Sequence, residues 1–312
     1  MTKFIIRRLF WTIPVILLVI LLTFTLMRQI KGNPFRTSER AIPAEIQANL
    51  ERKYGLDDPW YIQYVNYVKG VATFDLGPSL VLRNRDVNGI VSEHFPRSLE
   101  LGALAFLFAV VFGVPMGLLA GLKANSVRDY STMFFSNVGF AVPSFLVATL
   151  LIYFFALEWR GTFGELPTSG WSSWKHKILP VIALGLGPMA YFARLVRGTV
   201  LETLQQDYIR TARAKGLRRR RVVGVHVLRN SLIPVVTAAG PLLGFLITGS
   251  FVIEQIFAIP GIGRYYVTAV TARDYSVVMG LTVLLAIIVI LANLFVDIMY
   301  GILDPRTRDA RA

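Results

Sequence analysis

The sequence predicts an all-α integral membrane protein with six transmembrane helices. Hydrophobic residues make up 54% of its 312 residues, and only 17% are charged, whereas about a quarter of the residues of a soluble domain are charged. The mean hydropathy is +0.55. Six apolar runs are also long enough to cross about 30 Å of hydrocarbon. These runs cover residues 9–27, 99–122, 133–157, 178–195, 232–253 and 277–302.

Lysine and arginine are distributed unevenly between the segments that join these runs. Eighteen of them lie at the termini and in the loops that are inside when the N-terminus is cytoplasmic, against five in the two short outer loops, 158–177 and 254–276. The positive-inside rule therefore predicts that both termini are cytoplasmic. It also accounts for much of the net charge of +14 without nucleic acid.

This arrangement divides the chain into three parts. Residues 1–30 contain the first transmembrane helix, residues 31–97 form an extracytoplasmic loop domain, and residues 98–312 form a five-helix core. Within the loop domain we expect an amphipathic helix between Pro43 and Gly55 and an aromatic-rich segment after Pro59. This loop domain either packs on the membrane surface through its aromatic side chains or docks an external partner.

Signatures of catalysis and metal binding are missing. The sequence has no phosphate-binding loop, no serine nucleophile elbow and no zinc-binding helix. His94, His176 and His226 are expected in three separate loops, where they cannot share a metal ion. We therefore predict a non-enzymatic chain with no catalytic residue, no metal and no cofactor of its own. The centres of the six runs also lack ionisable residues, which disfavours a proton- or ion-coupled transporter.

Glycines recur at intervals of four residues in two of the runs. Gly113, Gly117 and Gly121 share one face of the second helix, and Gly240 and Gly244 share one face of the fifth. Small residues at this spacing let a neighbouring helix backbone approach closely. The pattern predicts tight helix packing and does not indicate a particular function.

The loop at residues 198–231 is the most informative segment. Nine basic and two acidic residues lie between Arg197 and Ser231. Spacings of three and four place Leu201, Leu204, Tyr208 and Ala212 on one predicted helix face, which Gly216 can end. Either the loop is an ordinary basic loop solvated by lipid headgroups, or it forms a helical hairpin that docks a partner through small residues. Nucleic-acid binding is disfavoured because no aromatic platform accompanies the arginines.

The amino-acid sequence of this loop resembles a signature of a known protein family. Residues 207–217 (DYIRTARAKGL) and 226–234 (HVLRNSLIP) are similar to the coupling-loop signature of binding-protein-dependent ABC importer permeases. They are closest to the DppB/OppB-type subunits of dipeptide, oligopeptide and nickel importers. Further matching motifs run through the chain, including residues 140–144 (FAVPS) and 260–263 (PGIG). One departure is Arg210-Thr211-Ala212, which stands where the wider superfamily has Glu-Ala-Ala.

This resemblance implies a type I ABC importer permease in a bacterial or archaeal inner membrane, with a cytoplasmic coupling-helix hairpin between helices 4 and 5. The chain would form half of a translocation pathway for peptides or similar small solutes. Its partners would be membrane lipid, a homologous second permease (DppC/OppC-like), two ABC ATPases that bind ATP and Mg, and an extracytoplasmic solute-binding protein. The implied ATPase contact comprises Asp207, Tyr208, Arg210, Thr211, Ala212, Arg213, Ala214, Lys215, Gly216 and Leu217.

Two other classes of function remain open from the sequence. The chain could act alone as a channel or secondary transporter, because a pore lined by backbone carbonyls needs no charged side chain. It could also be a membrane-anchored scaffold or nucleic-acid tether. The sequence does not identify the substrate, which could be a dipeptide, an oligopeptide, a nickel complex or glutathione.

Overall fold

A computed structural model of the chain describes residues 2–29, 49, 52, 55–82, 84–158, 166–248 and 251–303. These residues are mostly helical and contain no β-strand. Arg219–Arg221, the π-helical Val222–Val227 and Leu228–Ser231 follow one another directly, and together they are called α8. The other helices are α1 (Thr2–Gln29), α2 (Trp60–Ala72), α3 (Val87–Leu122), α4 (Val127–Ala141), α5 (Ser144–Ile152, continued by the π-helical Tyr153–Glu158), α6 (Trp174–Leu204), α7 (Asp207–Ala214), α9 (Ile233–Ile247), α10 (Phe251–Ile256), α11 (Ile262–Ala272) and α12 (Tyr275–Leu303).

Five helical segments in the described part of the chain are long and apolar enough to cross a membrane. A sixth is present if the bent pair α4 and α5 counts as one span. The five are Phe10–Gln29, Val87–Leu122, Trp174–Leu204, Ile233–Ile256 and Tyr275–Val296. The structure thus supports a multi-pass helical membrane protein and leaves the number of spans at five or six.

The sharpest break falls inside the run predicted at residues 133–157, which is not one straight helix. The axes of α4 and α5 meet at 100°. Pro143 causes the break because its ring nitrogen has no hydrogen to donate and because it disfavours a helical conformation in the residue before it. Val142 is accordingly extended, with φ −80° and ψ 121°, and α5 begins directly after Pro143.

Helices α3 and α6 form the centre of the bundle. α3 has 36 residues and is therefore about 54 Å long. It begins at Val87, within the segment that we assigned to the external loop, and the Asp86 side chain caps it by accepting a hydrogen bond from the Gly89 amide. Buried side chains from both helices contribute to the two core clusters that fill the middle of the bundle.

The repeated glycines lie where helices approach one another. A Cβ atom on Gly113 or Gly117 would meet the backbone carbonyl of Met189 or Ala193 in α6, and one on Gly121 would meet the side chain of Val200. On α9, a Cβ on Gly240 would lie 2.6 Å from Val296 Cγ2 of α12, and one on Gly244 would lie 3.2 Å from Val289 Cα. Both glycine faces are thus turned towards a neighbouring helix.

The predicted aromatic segment after Pro59 is the helix α2. Its Tyr64 hydroxyl donates a hydrogen bond of 3.2 Å to the Leu17 carbonyl of α1, and the Tyr64 ring packs edge-on against Phe24 with 5.9 Å between ring centroids. α2 therefore lies against the first transmembrane helix. The helix expected between Pro43 and Gly55 falls almost entirely outside the described residues.

Two of the three histidines, His94 and His176, do not lie in loops as expected. His94 is in α3, His176 is near the start of α6, and His226 is in the π-helical part of α8. His94 is also buried. The expectation was wrong because it ended the helices where the apolar runs end, whereas α3 and α6 continue beyond those runs.

Candidate functional site

Residues 204–231 form a helical hairpin between α6 and α9. α6 ends at Leu204, Gln205 and Gln206 form a turn, and α7 begins at Asp207. A second turn at Lys215 to Arg218 leads into α8, which returns the chain to α9.

The predicted apolar face through Leu201, Leu204, Tyr208 and Ala212 is wrong, because these residues do not share one helix. The turn at Gln205 and Gln206 interrupts the helical phase after Leu204. The buried residues of α7 are Ile209 and Ala212, whereas Tyr208 is 43% exposed.

Gly216 ends α7 as the sequence predicted. Its φ is +73°, a left-handed conformation that glycine adopts without a steric penalty. The Gly216 amide donates to the Arg213 carbonyl at 3.0 Å, and the Leu217 amide donates to the Ala212 carbonyl at 3.3 Å. This pair of bonds is a Schellman motif, which satisfies carbonyls that the helix end would leave unpaired.

Buried side chains and hydrogen bonds fix the hairpin to the bundle. Ile209 and Ala212 belong to a core cluster that also contains Val200 of α6 and Val227 of α8. The Asn230 amide donates to the Tyr208 hydroxyl at 3.1 Å, which joins α7 to α8. The inner face of α7 is therefore packed against the chain's own α6 and α8.

The residues of the implied ATPase contact divide between two faces. Ala212 is buried and Leu217 is half-buried, both against this chain's own core cluster. The other eight are exposed, and they include the cationic Arg210, Arg213 and Lys215. The outward face of α7 is therefore polar and basic, and the small side chains that remain on it are those of Thr211 and Ala214.

An ion pair lies beside the base of the hairpin. Asp129, at the start of α4, is only 1% exposed, and the guanidinium of Arg197 in α6 donates to both of its carboxylate oxygens, with Nη2 at 2.8 Å from Oδ2. The backbone amide of Asn125 adds a third hydrogen bond of 2.9 Å. This bidentate pair ties the α3–α4 turn to the helix that leads into the hairpin.

A buried acid was missed by the sequence analysis. We placed Glu254 at the edge of an outer loop, but it lies in α10 and is 0% exposed. Its carboxylate accepts hydrogen bonds from the Ser98 hydroxyl at 2.7 Å and from the Gly263 amide at 2.8 Å. The available signal was an acid directly after an apolar run that resumes at Ile256, followed closely by a Pro-Gly pair at Pro260.

A cavity of about 610 Å³ lies at the bend between α4 and α5. α4, α5, α6 and α9 all contribute to its wall, and none of the described residues that line it is charged. Pro143, Pro188 and Pro241 lie on three of these elements, and Tyr191 contributes a hydroxyl. The cavity therefore offers an apolar surface at the break between α4 and α5, beside prolines that lie within the continuous helices α6 and α9.

No group of three or more His, Asp or Glu side chains in the described ranges is arranged to hold a metal ion. The candidate site is the exposed face of α7 together with the turns on either side of it. The described residues there form an exposed helix face with small side chains and positive charge.

Comparison with known proteins gives two family matches. Residues 113–309 match the family described as "Binding-protein-dependent transport system inner membrane component", and residues 1–101 match the N-terminal family of the same membrane components. The chain is 45% identical over 309 residues to the dipeptide transport system permease protein DppB of Bacillus subtilis, with 99% of this chain and 98% of that protein covered. It is also 45% identical over 312 residues to the oligopeptide transport system permease protein OppB of Salmonella typhimurium, which is covered completely.

Solved structures show the same fold at lower sequence similarity. An inward-facing structure of the MetNI methionine ABC transporter matches with a TM-score of 0.56 at 20% identity. The match covers 69% of this chain and 96% of the chain in that structure.

Proposed function

Because this chain belongs to the family of binding-protein-dependent transport system inner membrane components, we propose that it is a DppB/OppB-type permease subunit of an ABC importer. It forms half of a translocation pathway for peptides or similar small solutes. The ATP is hydrolysed on partner subunits, and the chain itself is not an enzyme. The near full-length similarity to peptide permeases carries this proposal.

The outward face of α7 is the proposed contact with the ATPases. This face combines Thr211 and Ala214, whose side chains let another backbone approach, with a rim formed by Arg210, Arg213 and Lys215. The inner face is already packed against α6 and α8. A push on α7 is thus transmitted to the bundle through buried contacts, which is the physical requirement for coupling two distant sites.

The proposal includes six spans with both termini cytoplasmic. The bent pair α4 and α5 supplies the sixth span. The eighteen inner basic residues against five in the short outer loops support this orientation. It places α7 and α8 in the cytoplasm and α11 outside.

The other proposed partners follow from the same assignment. A homologous second permease would complete the pathway, two ATPase subunits would dock beneath it, and an extracytoplasmic binding protein would deliver the solute. The apolar cavity at the α4–α5 bend faces no charged side chain of its own chain, which suits a passage for uncharged segments of a peptide.

Single cysteines test the orientation directly, because the natural chain contains none. Thr211 in α7 and Thr271 in α11 form a matched pair. Both are exposed, and each donates its hydroxyl to the carbonyl four residues earlier, at 3.0 and 3.1 Å. We expect a membrane-impermeant maleimide to label Thr271→Cys in right-side-out vesicles and Thr211→Cys only in inverted ones. Labelling of both from the same side contradicts the proposed topology.

The same two variants test the ATPase contact. In the assembled transporter we expect Thr211→Cys to cross-link to the ATPase subunit through a short bismaleimide, and Thr271→Cys not to do so. Uptake in proteoliposomes should require ATP, the ATPases and the second permease. Transport by this chain alone, without nucleotide, contradicts the assignment and favours a stand-alone channel or secondary transporter.

A further inference from the structure

A second cavity, of about 360 Å³, lies at the other end of the bundle from the hairpin's core cluster. Its wall includes Leu82 from the segment before α3, His94 from α3, and Arg264 and Thr268 from α11. Asp274 also lines the cavity, and most of the remaining lining is apolar. On the proposed orientation this cavity opens on the extracytoplasmic side, so the inference rests on the proposed function.

His94 is buried in this wall with one ring nitrogen unsatisfied. Its Nδ1 lies 3.0 Å from the Pro260 carbonyl, and its ring packs against Tyr265 with 4.3 Å between centroids. Its Nε2 is buried and has no hydrogen-bond partner among the residues that the structure describes. Glu93 Oε2 lies 3.6 Å from it, beyond hydrogen-bond distance, and is held by Arg85 at 2.7 Å. Because the Pro260 carbonyl can only accept, Nδ1 carries the proton and Nε2 is a bare acceptor in an otherwise largely apolar part of the wall.

In the segment that forms much of this wall, the acidic side chains are buried and the basic side chains are exposed. Residues 254–276 contain two acids and two bases. Both acids, Glu254 and Asp274, are buried, with exposed fractions of 0% and 1%. Both bases, Arg264 and Arg273, are exposed, and neither forms an ion pair with any described residue. The segment is neutral in composition and presents two positive charges at its surface.

The two acids are not available to neutralise this surface, because the chain's own donors already satisfy them. Asp274 accepts hydrogen bonds from the Ser79 hydroxyl and from the amides of Leu80 and Val81 at 3.1 and 3.3 Å. Glu254 is held by Ser98 and Gly263. The exposed guanidinium of Arg264 at the cavity is therefore the group that a carboxylate would meet.

We propose that this cavity is the docking pocket for an acidic side chain of the extracytoplasmic solute-binding protein. The carboxylate pairs with Arg264 at the rim, and the apolar stem fills the space between Leu82 and α11 beside His94. Asp274, the other charged residue in the wall, is buried and already hydrogen-bonded, so Arg264 is the exposed charge of a largely apolar pocket. In such a pocket a few residues can dominate the affinity of an interface. The complementary charge also speeds encounter between the two proteins.

The test is the stimulation of ATP hydrolysis by the liganded binding protein, measured with the assembled transporter in nanodiscs. We expect Arg264→Glu to raise the binding-protein concentration for half-maximal stimulation by about tenfold or more, because removing one member of a close charge pair costs this much or more. Hydrolysis without the binding protein should be unchanged. Arg273→Glu is the matched control: it makes the same change of charge on an exposed arginine of the same segment that does not line the cavity.

A second variant separates insertion into the pocket from general attraction. Thr268→Trp fills the cavity and leaves the net charge unchanged, so we expect it also to weaken stimulation. A scan of charge reversals on the binding protein should then find one acid whose change to lysine restores stimulation with Arg264→Glu. Equal effects of Arg264→Glu and Arg273→Glu, together with no effect of Thr268→Trp, would mean a diffuse electrostatic field and would overturn the proposal.

Two further outcomes separate this inference from the proposed function. If the binding protein stimulates the natural transporter and both pocket variants behave normally, only the pocket proposal fails. If it never stimulates the natural transporter, the proposed function fails as well. Stimulation by free peptide alone that is lost in Arg264→Glu would assign the pocket to the carboxylate of the solute, and it would overturn the proposed occupant.

Discussion

The guanidinium of Arg197 holds the buried carboxylate of Asp129 through two hydrogen bonds, and this contact joins the α3–α4 turn to the end of α6 from which the hairpin departs. Arg197 remains 28% exposed at the side chain, whereas Asp129 is 1% exposed. The pair therefore fixes α6 to the start of α4 close to the point where the hairpin begins.

Removal of Arg197 should destabilise the protein strongly. Arg197→Ala leaves the Asp129 carboxylate buried with an unpaired charge, a change that costs about 3 to 5 kcal/mol. We expect a clear fall in the unfolding temperature in detergent. The control is Arg210→Ala, which breaks an exposed pair with Asp207 at 3.6 Å and should leave that temperature unchanged. Equal effects of the two variants would show that Asp129 finds another partner.

Gly117 should tolerate no side chain. A Cβ there would collide with the Ala193 carbonyl and lie 2.8 Å from Val196 Cβ, and packed backbones cannot move apart without loss of contacts along both helices. We expect Gly117→Val to reduce the yield of monodisperse protein severely in size-exclusion chromatography. The control is Gly198→Ala on α6, where an added Cβ meets nothing within 4 Å and the higher helix propensity of alanine favours the fold.

Gly216 should be sensitive to backbone strain and insensitive to side-chain volume. A Cβ there meets nothing within 4 Å, but a left-handed conformation costs a residue other than glycine about 1 to 2 kcal/mol. We expect Gly216→Val to decrease the amount of ATPase that co-purifies, while Gly216→Asn, which tolerates this conformation, retains most of it. Equal loss in both variants would point to side-chain contact with the partner.

Ser98 should be required for the order of the segment after α10. Its hydroxyl donates to Glu254 and accepts from the Ile262 amide at 2.9 Å, so Ser98→Ala leaves two buried groups short of a partner at a cost of about 1 to 3 kcal/mol. We expect faster hydrogen exchange at the Ile262 amide. Ser92→Ala, an exposed serine on the same helix, should leave that exchange unchanged, and protection that survives in Ser98→Ala would contradict the role given to this hydroxyl.

Ala212 illustrates how the structure changes the choice of experiment. From the sequence alone it was a candidate contact with the ATPase, and Ala212→Asp was a natural test of docking. In the structure Ala212 packs against the chain's own core cluster, so a carboxylate there would disturb the hairpin before any partner is involved. Thr211, one residue earlier and exposed, is the better position.

Glu254 shows what the sequence pattern missed. An analysis of hydropathy ends an apolar run at an acid, because an unpaired charge in an apolar environment is costly. That cost is offset here by hydrogen bonds from Ser98 and Gly263, residues that lie 156 and nine positions away in the chain. Such compensation depends on contacts between distant segments, which a window of neighbouring residues does not contain.

The sequence by itself determined that the chain lies in a lipid bilayer, that it is all-α, and where α7 ends. Long apolar runs in a bilayer form helices, because a helix hydrogen-bonds its own backbone N–H and C=O groups. The end of α7 at Gly216 follows from the conformational preference of glycine, which is a local property of the sequence. The tertiary structure alone decided where α3 begins, which face of α7 is free, and which charges are neutralised. Those outcomes depend on which helices touch, and contacts such as Asp129 with Arg197 join residues 68 positions apart.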